Sequence, residues 1–185
     1  MKFTPRRIAF AGILAAAYAA LTIATSSFAY GPVQFRIAEA FAVLCCFTSA
    51  AIPGMVLGCM AANLASFVSP WDFAIGTSAT LLACLVTWFM SRSLRSAQPG
   101  AGNRTARKPS LALLFLVPLP TILFNTVIVG AEIAYFFDDR AFMTAWVMNG
   151  LSVGAGEAVV MYVLGVPLLF WMLKDQRLYR QLNAV

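Results

Sequence analysis

Apolar residues fall into long runs separated by short polar breaks. The runs cover roughly Ile8–Phe28, Ile37–Phe47, Ile52–Val68, Phe73–Met90, Leu111–Phe137 and Phe142–Leu173. About 20 apolar residues in an α-helix cross the hydrocarbon core of a bilayer, so most of these runs read as spans. The second is short and Pro53 follows it closely, so length alone leaves a re-entrant segment open.

Charge decides the count. Basic residues gather at Lys2/Arg6/Arg7, at Arg92/Arg95/Arg104/Arg107/Lys108 and at Lys174/Arg177/Arg180. Cytoplasmic flanks carry the Lys/Arg excess of membrane proteins, which places all three clusters inside. An even number of crossings must then separate the first from the second. Counting the short run gives four, and two more return the chain to the third. The sequence predicts an all-α integral membrane protein, one domain over 1–185, with six transmembrane helices and both termini cytoplasmic. Tyr30–Arg36, Ser69–Asp72 and Asp138–Arg140 are expected on the outer side, and 92–110 is a solvated cytoplasmic linker rich in Ser, Gly, Arg and Pro.

Composition agrees with lipid as the solvent. Only 11% of residues are charged and 61% are hydrophobic, against roughly 25% charged in a soluble domain. The net charge of +6 sits at the ends of apolar runs and not on a polar face, which argues against nucleic acid. The start of the chain resembles a secretory signal, with Lys2, Arg6 and Arg7 before an apolar run and Ser-Phe-Ala at its end. That run is too long for a signal core and is kept as the first helix.

Reaction centres are not apparent. Cys45, Cys46, Cys59 and Cys84 lie in apolar stretches without CxxC spacing, and with no His there is no zinc set, no HExxH motif and no Ser–His dyad. No GxxxxGK[ST] loop is present to hold ATP. Neither a metal nor a cofactor is expected, and an enzyme comes last among the functions considered.

Polar residues inside the apolar runs need a reason, because an Asp or Lys at a helix centre costs roughly 2.5–3.5 kcal/mol on insertion scales. Glu39, Glu132 and Glu157 stand out, joined by Asn63, Asn125 and Asn149, with Arg36 and Asp72 near the outer surface. Asn125 and Glu132, seven apart, share a helix face, and Asn149 lies on one face with Gly156, next to Glu157. Arg36 and Glu39, three apart, are equally able to pair with each other or to serve a ligand. Trp71, Phe73, Phe136, Phe137 and Trp146 near the outer ends can stack on a flat ring or form an interfacial belt. These eight polar residues are the candidate substrate-binding set.

Small residues recur every four positions at Ala11/Ala15/Ala19, Gly54/Gly58/Ala62 and Gly150/Gly154/Ala158. Such ladders let helix backbones approach closely in lipid. For the last two, packing within the bundle is favoured; for the first, a face for another membrane subunit is an equal reading.

Several stretches, in order, carry a family resemblance: Gln34-Phe35-Arg36-Ile37-Ala38-Glu39-Ala40, Gly54 through Gly58-Cys59 to Ala62-Asn63, and Asp72 through Gly76-Thr77 to Thr80. Asn125 through Val129-Gly130 to Glu132, then Gly154-Ala155-Gly156-Glu157, Tyr162, Leu164-Gly165 and Pro167-Leu168 complete the series. In these the chain resembles the QueT family, substrate-binding S components of energy-coupling-factor (ECF) transporters for queuosine precursors. Cys45-Cys46 and Ser66–Pro70 depart from the pattern.

The resemblance implies a bundle of ECF S-component type that captures a 7-deazaguanine such as preQ0 or preQ1 from outside. It also implies a transmembrane T subunit and two cytoplasmic ATPases as partners, with Ala11, Ala15 and Ala19 matching the spacing at which related S components meet the T subunit. One carboxylate can accept N1–H and the exocyclic amine of such a ring together, an Asn can serve the ring carbonyl or N3, and a second carboxylate can meet a cationic aminomethyl group. An S component for another vitamin-like molecule, or a small oligomeric channel or proton-linked carrier with Glu132 and Glu157 as relay groups, is the alternative.

Overall fold

In a computed structural model of the protein, residues 4–29, 34–65, 71–92 and 111–175 are described. They are helical, with no strand among them. Helix α1 is Pro5–Ala24, extended by a short turn of helix at Ser26–Ala29; α2 is Ile37–Cys46; α3 is Ala51–Ala65; α4 is Asp72–Met90. Helix α5 is Leu114–Phe136 and α6 is Phe142–Lys174. Four of these, α1, α4, α5 and α6, are long and apolar enough to cross a membrane, and α2 and α3 are shorter apolar helices. The expectations for 93–110, Arg177, Arg180, Lys2 and Ser66–Pro70 lie outside the described residues.

Local sequence explains where the helices start and bend. Thr4 caps α1, accepting from the Arg7 N–H, and Pro5 follows at the first helical position, where its missing N–H removes a donor that has no partner anyway. Pro53 occupies the equivalent first turn of α3, so it does not break that helix. Pro118 and Pro120 interrupt the start of α5, and wide π-turns follow at Asn125–Val129 in α5 and Met161–Gly165 in α6, the latter just before Pro167. A π-turn absorbs a lost i→i−4 hydrogen bond by adding a residue to one turn. In α5 it also leaves the Val127 carbonyl to accept from Trp146 Nε1 at 3.0 Å.

The short second run is a 3₁₀-helix. At ~2.0 Å rise per residue, ten residues reach about 20 Å, further than the same residues would as an α-helix. Seven of its residues, Ala38, Glu39, Ala40, Ala42, Val43, Cys45 and Cys46, are buried. Small side chains on nearly every side let α2 run through the centre of the bundle, against α1, α3, α4 and α6.

Around it, Leu14, Tyr18, Val43, Met55, Met161, Leu169 and Met172 form the main core. Large apolar side chains such as Ile13, Leu64 and Leu151 point outward, exposed by 66–72%. In water such a surface would be an aggregation liability; in lipid it is the solvated face.

Close helix approaches depend on glycine. A Cβ on Gly130 would lie 2.6 Å from the Gly150 Cα, so α5 and α6 touch backbone to backbone there. Gly130→Val is expected to force these helices apart and cost at least the 1–3 kcal/mol typical of overpacking. A lowered unfolding temperature of the detergent-purified variant checks this, and an unchanged one refutes the contact.

The Ala11/Ala15/Ala19 ladder is also spent inside the bundle. Added Cβ atoms would lie 3.0 Å from the Ala11 carbonyl at Gly54 and 2.8 Å from the Ala15 carbonyl at Gly58, and Ala19 packs on the main core. Ala11 and Ala15 thus lie against the glycines of α3, while Ala15 and Ala19 are half-buried. The outward side of α1 exposes small residues too, among them Gly12, Ala16, Ala17 and Ala20.

Candidate functional site

Four of the chain's seven acidic residues are buried in the described bundle: Glu39 on α2, Asp72 at the start of α4, Glu132 on α5 and Glu157 on α6. Their common cation is Arg36, which precedes α2 and is itself 2% exposed. It forms a salt bridge with Asp72, with Nη2 to Oδ2 at 3.1 Å and to Oδ1 at 3.3 Å. Asp72 sits in the first turn of α4, where the helix dipole also favours a carboxylate. Glu132 interacts electrostatically with Asp72 and Arg36, and Glu157 with Glu39 and Arg36.

The four carboxyl groups are not held alike. Glu39 Oε1 accepts from the Tyr18 hydroxyl at 2.5 Å and from Thr80 Oγ1 at 3.1 Å, while Oε2 has no partner. Both oxygens of Glu132, both oxygens of Glu157, and both Nδ2 and Oδ1 of Asn125 are buried without a hydrogen bond. Leaving a buried polar group unmatched costs about 1–3 kcal/mol each, more when charged. Asn125 opens the π-turn of α5, Glu132 lies in the helical turn that follows it, and Glu157 lies one turn before the π-turn of α6.

The other expected members are engaged elsewhere. Asn63 Nδ2 donates to the Asp72 main-chain carbonyl at 2.9 Å and so ties the end of α3 to the start of α4. Asn149 Nδ2 donates to Asp138 Oδ2 at 2.8 Å in the turn between α5 and α6, and this removes Asn149 from the buried set. Arg140 also binds Asp138, and these hydrogen bonds hold the Asp138 carboxyl well below the usual carboxylate range. The pairing of Arg36 with Glu39 at helical spacing gives way to Arg36 with Asp72. Arg36 stands before α2 in a non-helical conformation, so the i, i+3 geometry does not apply to it.

Aromatic rings lie at the same end of the bundle as Asp72 and Glu132. Trp71 and Phe136 are stacked, with centroids 5.5 Å apart and planes 11° from parallel, and Tyr135 meets Phe136 edge-on. Trp71 adjoins Asp72, and Phe136 is one turn from Glu132. Trp146 stacks on Phe142 instead. An apolar groove lined by Val127, Met143, Trp146 and Leu151 holds none of the carboxyl groups. Chemically, the buried cluster is rich in acceptors and poor in donors, so it suits a ligand carrying several N–H groups or a positive charge.

The family model of QueT transporters matches residues 8–174 of the 185. The chain belongs to the QueT transporter family. It is thus a multi-pass membrane protein of a transporter family, in line with its apolar helices. No curated protein and no solved structure matches the chain. Within the QueT match lie all four buried carboxyl groups and the α1 face that packs on α3.

Proposed function

We propose that this QueT transporter is the substrate-binding S component of an ECF-type importer, and that its cargo is a queuosine precursor of the 7-deazaguanine class. One observation carries the reading: Asn125, Glu132 and Glu157 are buried with every side-chain polar atom unmatched. A guanine-like edge offers the donors those carboxyl groups lack, and Asn125 can answer the ring carbonyl or N3. Glu39 Oε2 adds a further free acceptor, and a cationic aminomethyl substituent would suit a cluster of four carboxyl groups around one guanidinium. Arg36 and Asp72 brace the site through their salt bridge.

In this reading the chain crosses the cell (plasma or inner) membrane six times, α2 and α3 included, with both termini cytoplasmic. A transmembrane T subunit and two ATPases supply the energy, since the chain has no phosphate-binding loop of its own. The T subunit would approach α1 through Gly12, Ala16 and Ala20.

Mass spectrometry of small molecules co-purified with the protein, followed by calorimetric titration, tests the cargo. A 7-deazaguanine is expected to co-purify or to bind stoichiometrically. A different co-purified molecule, with no 7-deazaguanine binding, overturns the assignment. Cysteines placed at Asp138 to Arg140 should react with an impermeant reagent from outside intact cells; protection there would reverse the topology.

A further inference from the structure

Two donors converge on one oxygen of Glu39. Tyr18 on α1, 1% exposed, and Thr80 on α4, fully buried, both reach Oε1. A carboxylate has about four acceptor sites over its two oxygens. A carboxyl group serving only to stabilise the core would spread two donors over both oxygens, because an unmatched buried acceptor costs stability. Here Oε2 stays buried and unmatched, and Glu157, with both oxygens unmatched, interacts with Glu39 electrostatically.

Helix packing fixes where Tyr18 stands. A Cβ on Gly58 would lie 2.7 Å from the Tyr18 Cβ and 2.8 Å from the Ala15 carbonyl, so α1 and α3 meet at the level of Tyr18 with no space between them. Hydrogen bonds weaken steeply with misalignment, and this one holds only while α1 stays seated on α3.

We propose that Tyr18 is a positioning residue for the bound ligand: with Thr80 it clamps Glu39 Oε1 and so presents Oε2 to the ligand, which makes affinity depend on the seating of α1. The inference rests on the ligand-binding reading above and adds to it the residue that couples an outer helix to the site. Gly12, Ala16 and Ala20 on the far side of the same helix are open, so a contact that displaces α1 would reach the site through one hydrogen bond.

The first test needs no ligand. The infrared carboxyl band lost in Glu39→Gln identifies Glu39, and it should shift in Tyr18→Phe and in Thr80→Val. In calorimetry, Tyr18→Phe should weaken 7-deazaguanine binding roughly 5- to 30-fold, the effect of one hydrogen bond. In a Glu39→Leu background the same change should shift affinity less than about twofold, since the group it positions is gone. Gly58→Ala, which alters no polar group, should weaken binding with Tyr18 present and have little further effect in Tyr18→Phe.

An unshifted band in both folded variants overturns the proposal, as does an equal loss of affinity with and without Glu39. If Tyr18→Phe fails to fold, Thr80→Val carries both measurements. A shifted band in a protein that binds no 7-deazaguanine supports the clamp and refutes the cargo; an unshifted band in one that does bind refutes the clamp alone.

Discussion

Glu157→Gln and Glu132→Gln are expected to weaken binding of a 7-deazaguanine about 30- to 1000-fold. Each substitution keeps the size of the side chain and replaces half of its acceptor capacity with an NH₂ group. Against a ligand edge made of N–H groups, that donor faces another donor. The lost charge-assisted pair and the newly unmatched group together cost roughly 2–4 kcal/mol. Glu157 is slightly the more buried of the two and is expected to show the larger loss. Gln is isosteric with Glu and brings no charge to bury, so both variants should fold at least as well as the parent. Weaker binding with unchanged or raised thermal stability separates a ligand site from a structural one. Two folded variants that bind like the parent would make these carboxyl groups structural.

Helix positions were readable where run length decides them. The run Phe73–Met90 became α4 at Asp72–Met90, and Phe142–Leu173 became α6 at Phe142–Lys174. In both, the break falls where charged or polar residues return. The second run was legible as apolar but not as 3₁₀, because small apolar residues on nearly every side suit either winding. The buried carboxyl groups were legible by type alone, since an ionisable residue in an apolar run has few explanations.

What each polar residue touches was not readable. Asn63 and Asn149 look like Asn125 in sequence, yet their amides are taken by Asp72 and Asp138, nine and eleven residues away. Tyr18 gave no signal, and Thr80 appeared only within the family resemblance, because hydroxyls are common in membrane helices and their contacts with Glu39 span 21 and 41 residues. The alanine ladder on α1 showed correctly that a backbone approaches closely, and only the glycines of α3 reveal that the approach is internal.

Arg36→Met is expected to destabilise the protein by about 3–5 kcal/mol, the usual result of removing one partner from a buried ion pair. Both side chains are well covered, at 2% exposed for Arg36 and 7% for Asp72, so water cannot take over the role of the missing partner. The loss extends beyond that pair, because Glu39, Glu132 and Glu157 also feel the guanidinium and would lose it. Met conserves most of the apolar stem, so the change isolates charge and hydrogen bonding from packing. Asp72→Asn in the same chain should restore part of the loss by removing the stranded carboxylate. Thermal unfolding of the purified single and double variants reads both effects. An Arg36→Met protein as stable as the parent would show that the carboxyl groups do not depend on Arg36. A double variant less stable than Arg36→Met would show that Asp72 supports the fold through its hydrogen bonds and not through its charge.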